Sequence, residues 1–200
     1  MARKMFLIIA GLALLSGLAF ADVQINTPAP NFTLKAADGR EYSLSDFQGK
    51  FVVLEWTNFD CPFSKKHYSS GNMQSLQNEE LKKGVVWLTI NSSAEGLQGY
   101  FSSEEINERI RQNNASPTAY LIDSDGKVGK RYGAKTTPHM FVINPEGMLI
   151  YQGAIDDKPT FDSADTASAK NYVREALQEA MLGQSVSVPE TKSYGCSVKY

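Results

Sequence analysis

Short apolar runs separated by polar turns dominate the chain, and this pattern predicts alternating strands and helices. Residues 51–56 and 85–90 are almost continuously apolar and rich in β-branched side chains. Strands that are buried on both faces of a parallel or mixed sheet have this composition. Two shorter runs of the same kind, at 118–122 and 139–143, predict two further strands of the same sheet.

Helices are predicted where apolar residues recur every three or four positions between the strands. One helix is predicted at 61–77, where Pro62 suits the first helical position because the N–H that proline lacks is unpaired there anyway. Ile106 and Ile110 share one face of a second helix, and residues 171–182 carry an apolar stripe that predicts a third.

The later part of the chain predicts a hairpin. Residues 144–147 read Asn-Pro-Glu-Gly and connect the strand at 139–143 directly to an apolar segment at 148–152. Such a short connection joins antiparallel strands. Strands and helices alternate in the first part of the chain, and a hairpin follows in the later part. This order predicts an α/β fold with a mixed central β-sheet flanked by helices. We expect one domain at 22–183, followed by a polar tail at 184–200.

The first 21 residues have the layout of a cleaved secretory signal. Arg3 and Lys4 precede an apolar run at 5–15, and small residues at Ala19 and Ala21 occupy the positions that signal peptidase reads. A membrane-spanning helix needs about 20 apolar residues, which is more than this run provides. We expect cleavage after Ala21 and a mature protein that is exported, either periplasmic or secreted. The alternative is an uncleaved N-terminal anchor.

The overall composition excludes several classes of protein. Hydrophobic residues make up 42% and charged residues 21% of the 200 residues, which is typical of a globular protein rather than a disordered or fibrous one. The net charge of −2 provides no basic excess for binding phosphates, so we expect no nucleic-acid partner. We also expect no membrane partner once the signal is removed, and no cofactor.

Cys61 is the main candidate for chemistry, because it follows a buried strand and lies at the start of a predicted helix. The unpaired N–H groups and the dipole of a helix N-terminus favour an anion, and therefore the nucleophilic thiolate. Lys65, Lys66 and His67 add positive potential, whereas Asp60 opposes it if its side chain faces the sulfur. The alternative is an inert buried cysteine or half of a permanent disulfide.

The second cysteine, Cys196, lies close to the C-terminus in a polar tail that includes Gly195. Disulfides persist outside the cytosol, so an even number of cysteines in an exported protein hints at a bridge, either permanent or one that forms and breaks. A cysteine in such a tail can reach a thiol on the body of the protein or on a partner. The remaining alternative is an unpaired surface thiol.

Pro138 enters the strand predicted at 139–143, where its missing N–H cannot join the sheet ladder. The bond between Thr137 and Pro138 is therefore either cis at a sharp turn or trans at a sheet edge. The adjacent His139 is a lone histidine, for which a structural role is the more common one.

An ordered set of motifs resembles the thioredoxin-like superfamily, and within it the alkyl hydroperoxide reductase/thiol-specific antioxidant (peroxiredoxin-like, redoxin) family. The motifs are Ala-Pro-Asn-Phe at 29–32, the strand at 51–56, the Cys61–Pro62 step, Lys-Thr-Thr-Pro-His at 135–139 and Asn-Pro-Glu-Gly at 144–147. The resemblance implies a thioredoxin-like fold, a cis Thr137–Pro138 bond that faces Cys61, and Cys61 as the peroxidatic or nucleophilic cysteine. The candidate catalytic residues are Cys61, Cys196, Thr137 and Pro138.

The sequence departs from both branches that it resembles. Peroxiredoxins usually have Thr or Ser three residues before this cysteine and Pro seven before it, where this chain has Asn58 and Leu54. The arginine that orients peroxide in that family would fall near Pro138 and is missing. Thioredoxins usually have two cysteines separated by two residues, yet Asn58 and Ser64 occupy the two positions where the second cysteine would stand. Thiol redox chemistry is what both branches share.

We therefore expect an exported thiol-dependent oxidoreductase, in which Cys61 attacks a peroxide or a protein disulfide and Cys196 is the candidate resolving cysteine. Peroxide is slightly favoured, because no second cysteine lies nearby in sequence to release a mixed disulfide. An external thiol reductant would restore the dithiol. The alternatives are a non-catalytic binding module with a structural Cys61–Cys196 disulfide, and a copper- or metal-handling module that uses Cys61 and His139, with Cys196 as an optional third ligand.

Overall fold

Nine strands make up the β structure of residues 23–200, the part of the chain that the structure, a computed structural model, describes. The signal predicted at 1–21 lies outside the described residues. The strands are β1 (Thr33–Ala36), β2 (Glu41–Ser43), β3 (Val52–Trp56), β4 (Val86–Asn91), β5 (Ala119–Ile122), β6 (Thr136–Thr137), β7 (His139–Ile143), β8 (Leu149–Gly153) and β9 (Cys196–Ser197).

Five α-helices accompany the strands: α1 (Pro62–Ser69), α2 (Asn72–Lys82), α3 (Ser103–Gln112), α4 (Lys127–Tyr132) and α5 (Tyr172–Met181). The single helix predicted at 61–77 is wrong, because two helices occupy this stretch. The chain breaks at Gly71, whose φ of 76° lies in the left-handed region that glycine enters without steric cost. Among the helices of residues 23–200, none is long and apolar enough to cross a membrane.

The predicted mixed sheet is confirmed. Its seven strands lie in the order β2-β1-β5-β4-β3-β7-β8, with β3 parallel to β4 and antiparallel to β7. The hairpin of β7 and β8 is confirmed as well, and its strands pair antiparallel across the turn at 144–147. The interior strand β3 is buried along its whole length, as its apolar sequence predicted.

Apolar cores on both faces of the sheet hold β3 in place. Leu54 and Trp56 point into one core, where the Trp56 ring packs against those of Tyr132 and Phe141. Val53 points into the other core, to which α1, α2 and α5 contribute residues. Because successive side chains of a strand alternate between the two faces, both cores fix the end of β3 from which the candidate site begins.

The tail at 184–200 packs along the body of the protein. The N–H of Gln152 in β8 donates to the carbonyl oxygen of Pro189 at 3.0 Å, and the N–H of Thr191 donates back to Gln152 at 3.1 Å. Farther along, β9 pairs antiparallel with β6, and the N–H of Ala94 donates to the carbonyl oxygen of Lys199 at 2.7 Å. Successive stretches of the tail therefore lie against three different parts of the domain.

Candidate active site: the cysteine pair

Cys61 lies in the loop that leaves β3 and is the N-cap residue of α1, with Pro62 in the first turn as predicted. The loop is shaped by Asn58, whose carbonyl oxygen accepts from the Cys61 N–H at 2.9 Å and whose Oδ1 accepts from the Asp60 N–H at 2.9 Å. The Cys61 side chain is fully buried. The fold thus presents this sulfur at a helix N-terminus and away from bulk water.

Cys196 lies directly against Cys61, although the two are 135 positions apart in the sequence, and the two sulfur atoms are 2.6 Å apart. Both residues are free thiols, Cys61 buried and Cys196 half-buried. A disulfide has a sulfur–sulfur distance of about 2.05 Å, so small side-chain rotations bring this pair to bonding distance.

The Thr137–Pro138 bond is cis, as the family resemblance implied. The carbonyl oxygen of Thr137 accepts a hydrogen bond from the Cys61 sulfur at 3.0 Å, and Thr137 also pairs with Cys196 across β6 and β9. The structure therefore brings all four predicted site residues, Cys61, Cys196, Thr137 and Pro138, into one place.

The two thiols differ in acidity. Burial raises the pKa of Cys61, but hydrogen bonds from the side chains of Cys196 and Thr137 and from the backbone of Ser64 outweigh burial and lower that pKa below its usual range. The Thr137 carbonyl works in the opposite direction, because it accepts only from a protonated sulfur. Cys61 is therefore the group that ionises first.

Cys196 has the opposite shift. Burial, together with the hydrogen bond to Cys61 and the negative charge of Cys61, raises the pKa of Cys196 to about 11. Of the two thiols, Cys61 therefore loses its proton first, and Cys196 keeps its proton to higher pH. A thiolate next to a protonated thiol suits a nucleophile and a resolving group that act in sequence.

Three of the four charged neighbours expected around Cys61, namely Asp60, Lys66 and His67, have partners of their own. Asp60 accepts from the Arg109 guanidinium at 2.9 Å, which offsets the negative charge that the sequence placed beside the sulfur. Lys66 and His67 are buried, and their hydrogen bonds go to Lys158 and Tyr194 respectively. The acidity of Cys61 therefore rests on direct hydrogen bonds.

Sequence reasoning missed a buried carboxyl group in the strand that leads to the site. Glu55 in β3 is fully buried and accepts hydrogen bonds from Trp87 at 2.8 Å, Tyr68 at 2.8 Å and Thr89 at 3.1 Å. Burial raises its pKa, and the hydrogen bonds only partly offset this. The available signal was a single charged residue within the apolar run at 51–56.

His139 lies beside the cis bond but faces an aromatic ring. Its ring centroid is 4.5 Å from that of Phe141, and its Nδ1 accepts from the Lys135 N–H at 3.2 Å. Within residues 23–200 there is no group of three or more His, Cys, Asp or Glu side chains arranged to hold a metal ion. The copper alternative therefore gains no support from the geometry of Cys61, Cys196 and His139.

The model of the AhpC/TSA family matches residues 25–152. The match includes Cys61 and Pro138 and ends before Cys196, so the second thiol of the site lies beyond the shared part of the fold. It confirms the resemblance inferred from the motifs.

Two relatives of the chain are named for reactions of thiols. Thiol-disulfide oxidoreductase ResA of Bacillus subtilis is 26% identical over 124 residues, which cover 61% of this chain and 63% of that protein, less than two thirds of its length. Thioredoxin peroxidase of Fasciola hepatica is 29% identical over 158 residues, which cover 72% of this chain and 77% of that protein. An uncharacterized conserved protein from Geobacillus kaustophilus superimposes with a TM-score of 0.76 at 25% identity, over 88% of this chain and 92% of that one.

Proposed function

Because the chain belongs to the AhpC/TSA family, we propose that it is a thiol oxidoreductase in which Cys61 is the attacking sulfur and Cys196 the resolving sulfur. The observation that carries the proposal is the contact of the two sulfurs at 2.6 Å, together with their opposite pKa shifts. The names of the Bacillus and Fasciola relatives support thiol redox chemistry of this kind.

The substrate that the geometry supports best is a disulfide. The Cys61 thiolate attacks one substrate sulfur, forms a mixed disulfide and releases the other sulfur as a thiolate, which takes up a proton. Cys196 then loses its proton and attacks the Cys61 sulfur. A Cys61–Cys196 disulfide forms and the second substrate thiol leaves, so the substrate is reduced and the pair is oxidised. An external thiol reductant restores the dithiol.

The pKa of Cys196 supports this order of events. Part of its rise comes from the hydrogen bond to Cys61 and from the charge of Cys61. Once Cys61 is bound in a mixed disulfide, that charge is gone and Cys196 ionises more easily. The resolving thiol is therefore activated only after the first attack.

The position of Cys196 also supports a disulfide substrate. The absence of a second cysteine near Cys61 in the sequence argued that a mixed disulfide would not be released. Cys196 supplies the missing thiol from the far end of the chain, because β9 carries it to the cis-proline segment β6.

Peroxide is the second candidate substrate, and the Fasciola relative, named a thioredoxin peroxidase, favours it. In that reaction Cys61 attacks a peroxide oxygen, becomes a sulfenic acid and releases water or an alcohol; condensation with Cys196 then releases water and forms the same disulfide. Among the described residues, the hydrogen-bond partners of the Cys61 sulfur are Thr137, Cys196 and Ser64, and none is an arginine.

We further propose that the protein is exported, and that the mature chain consists of a domain at 22–183 and a tail at 184–200. This proposal rests on the signal pattern that ends at Ala21 and on the presence of two cysteines. N-terminal sequencing of the protein from fractionated cells tests it: a mature N-terminus at Asp22 in an extracytosolic fraction supports export, and an intact Met1 in the cytosol contradicts it.

Parallel oxidation of the reduced protein tests the chemistry. One sample receives a peptide disulfide and another hydrogen peroxide; both are quenched with an alkylating agent over seconds to minutes, and Cys61 and Cys196 are followed separately by peptide mass mapping. A rapid mixed disulfide on Cys61 followed by the Cys61–Cys196 bridge supports a disulfide substrate. Faster bridging with peroxide makes peroxide the substrate.

Slow and equal reaction of the two cysteines contradicts both candidates. A bridge that forms but resists reduction by a large excess of thiol supports instead a non-catalytic module with a structural disulfide. Cys196→Ser serves as the matched control, because it keeps the attacking sulfur and must retain the mixed disulfide for longer.

A further inference from the structure

A buried group of polar side chains lies behind α1 and is not part of the cysteine chemistry. We call it the anchoring cluster, and it consists of Lys66, His67, Asp156 and Tyr194. The Lys66 side chain is fully buried and that of Asp156 is 1% exposed, with the Lys66 ammonium nitrogen 3.5 Å from Asp156 Oδ2. Burying charges is costly unless they are paired and hydrogen-bonded, so the arrangement of this cluster is highly constrained.

The hydrogen bonds of the cluster run in one direction, through Tyr194 to Asp156. The side-chain amide of Asn72 donates to His67 Nδ1 at 2.8 Å, which leaves the hydrogen of the neutral ring on Nε2. His67 Nε2 then donates to the Tyr194 hydroxyl oxygen at 3.2 Å, and the Tyr194 hydroxyl donates to Asp156 Oδ1. The hydroxyl therefore has a donor and an acceptor, both fixed by the body of the protein.

The cluster connects the two segments that carry the cysteines. His67 belongs to α1, whose N-cap is Cys61, and Tyr194 precedes Cys196 by two residues in the tail. Two residues of extended chain span about 7 Å, too short for much slack. Between them, Gly195 has a φ of 135°, and a Cβ placed there would lie 2.1 Å from the Thr137 carbonyl oxygen. The tail is thus fixed immediately before it delivers the Cys196 sulfur.

The ring of Tyr194 makes separate contacts that do not need the hydroxyl. Its centroid is 5.9 Å from that of Phe63 and 5.5 Å from the Lys66 nitrogen, a cation–π distance. Tyr194→Phe therefore keeps the packing of the ring while removing only the hydrogen bonds to His67 and Asp156.

We propose that Tyr194 is a positioning residue, which sets the effective concentration of the Cys196 thiol at Cys61 through its hydrogen bonds within the anchoring cluster. This inference rests on the proposed function, since it assigns to Tyr194 the placement of the resolving thiol. Loss of the Tyr194 hydroxyl lets β9 leave β6 more often, and the thiol then spends less time within reach of Cys61.

Equilibration with glutathione measures this quantity. One glutathione disulfide oxidises the protein dithiol to the Cys61–Cys196 bridge and yields two reduced glutathiones, so the equilibrium constant is the effective concentration of one thiol at the other. We expect Tyr194→Phe to lower it about tenfold, the scale of a hydrogen bond to a charged group, which is a shift of about 30 mV in potential.

Tyr42→Phe is the matched control. The Tyr42 hydroxyl also donates to an aspartate, Asp38 Oδ2 at 3.1 Å, but it lies in β2, in a different segment from both cysteines and from the anchoring cluster. We expect its glutathione equilibrium to equal that of the wild type. An equal shift in both variants would mean that loss of any tyrosine hydroxyl acts through general stability, and it overturns the inference.

The outcomes separate the inference from the proposed function. A wild-type protein that forms no Cys61–Cys196 bridge in any glutathione buffer overturns the proposed function, and the inference with it. A bridge that forms equally well in Tyr194→Phe overturns the inference alone.

Amide hydrogen exchange of the reduced Tyr194→Phe protein gives a readout that needs no redox step. The Val198 N–H donates to the Lys135 carbonyl oxygen at 3.1 Å and reports on the attachment of the tail. We expect exchange at 194–198 to become faster while exchange in β3 and β4 stays unchanged. Unchanged exchange at 194–198 contradicts the inference.

Discussion

The segments that carry Cys61 and Cys196 are held in place by different means. Cys61 lies between an interior strand of the sheet and a helix, and regular backbone hydrogen bonds and two apolar cores fix it. Cys196 lies in a two-residue strand, and its position depends on the close fit of Gly195 and the hydroxyl of Tyr194. The position of the attacking sulfur is therefore fixed by the whole fold, whereas the position of the resolving sulfur depends on a few contacts that single substitutions can remove.

Serine substitutions at the two cysteines provide the most severe test of this contrast. Cys61→Ser removes the attacking sulfur, so reduction of a peptide disulfide falls to the uncatalysed rate. Cys196→Ser leaves the first attack in place but blocks release, so the mixed disulfide on Cys61 accumulates. Stopped-time alkylation followed by mass spectrometry distinguishes the two. If Cys196→Ser slows the first attack as much as Cys61→Ser does, the division of roles is wrong.

An added methyl group at Gly195 breaks the fit of the tail. Gly195→Ala forces a Cβ to 2.1 Å from the Thr137 carbonyl oxygen, so β9 must move away from β6. Relief of such strain is worth about 1–3 kcal/mol, so we expect the glutathione equilibrium constant of the pair to fall about 10- to 100-fold.

Gly183→Ala is its control, because Gly183 also has a positive φ, of 72°, but has open space around its missing side chain. It also places a side chain at a positive φ, which has a backbone cost of its own, without touching the tail strand. We expect its glutathione equilibrium to match the wild type even where its melting temperature falls. A normal equilibrium in Gly195→Ala would show that Cys196 reaches Cys61 without β9.

Acid tests the cluster that anchors the tail. His67 is buried against Asp156, Lys66, Tyr194 and Asn72. Burial lowers the pKa of His67 to about 4. The charge of Lys66 adds to this effect, and the charge of Asp156 partly offsets it. The unfolded chain binds this proton near pH 6.5 and the folded chain only near pH 4, so stability falls as the pH drops through that window, by up to about 3 kcal/mol.

Urea unfolding of the reduced protein between pH 4 and pH 7 checks this linkage. His67→Gln removes the titrating ring, and we expect its free energy of unfolding to lose part of the slope across this window. An identical slope in both proteins would mean that other groups account for the acid sensitivity.

The smallest expected effect concerns the acidity of Cys61 itself. Cys196 provides the first of the hydrogen bonds that lower the pKa of Cys61. Cys196→Ala removes this donor, so we expect the Cys61 thiolate to form at higher pH than in the reduced wild type. Thiolate absorbance near 240 nm, recorded against pH, measures the shift. A thiolate that forms at lower pH in the variant would show that Cys196 opposes the ionisation of Cys61.

Local patterns were enough to predict most of the sheet. The runs at 51–56, 85–90 and 139–143 became strands β3, β4 and β7, because strands buried on both faces need continuous apolar sequence. The Cys61–Pro62 step marked a helix start for an equally local reason, since a proline costs nothing in the first turn.

Contacts between distant parts of the chain were not predictable in the same way. Strands β6 and β9 have two residues each, too few to show any periodicity, and they pair only because the tail returns to the cis-proline segment. The role of Tyr194 was invisible for the same reason, since its partners His67 and Asp156 lie far away in the sequence. Glu55 was missed because the side chains that bond to its carboxyl group, Trp87, Tyr68 and Thr89, lie on other elements of the fold.

The long separation of Cys61 and Cys196 has a consequence for the unfolded chain. A bridge between them closes a loop of 135 residues, which is most of the described protein. In the chain-entropy account, a cross-link of this length removes enough freedom from the unfolded ensemble to stabilise the fold by about 5 kcal/mol. Each catalytic cycle would therefore alternate between a heat-resistant oxidised form and a more fragile reduced one, so that the redox supply of the compartment also governs how long the protein survives.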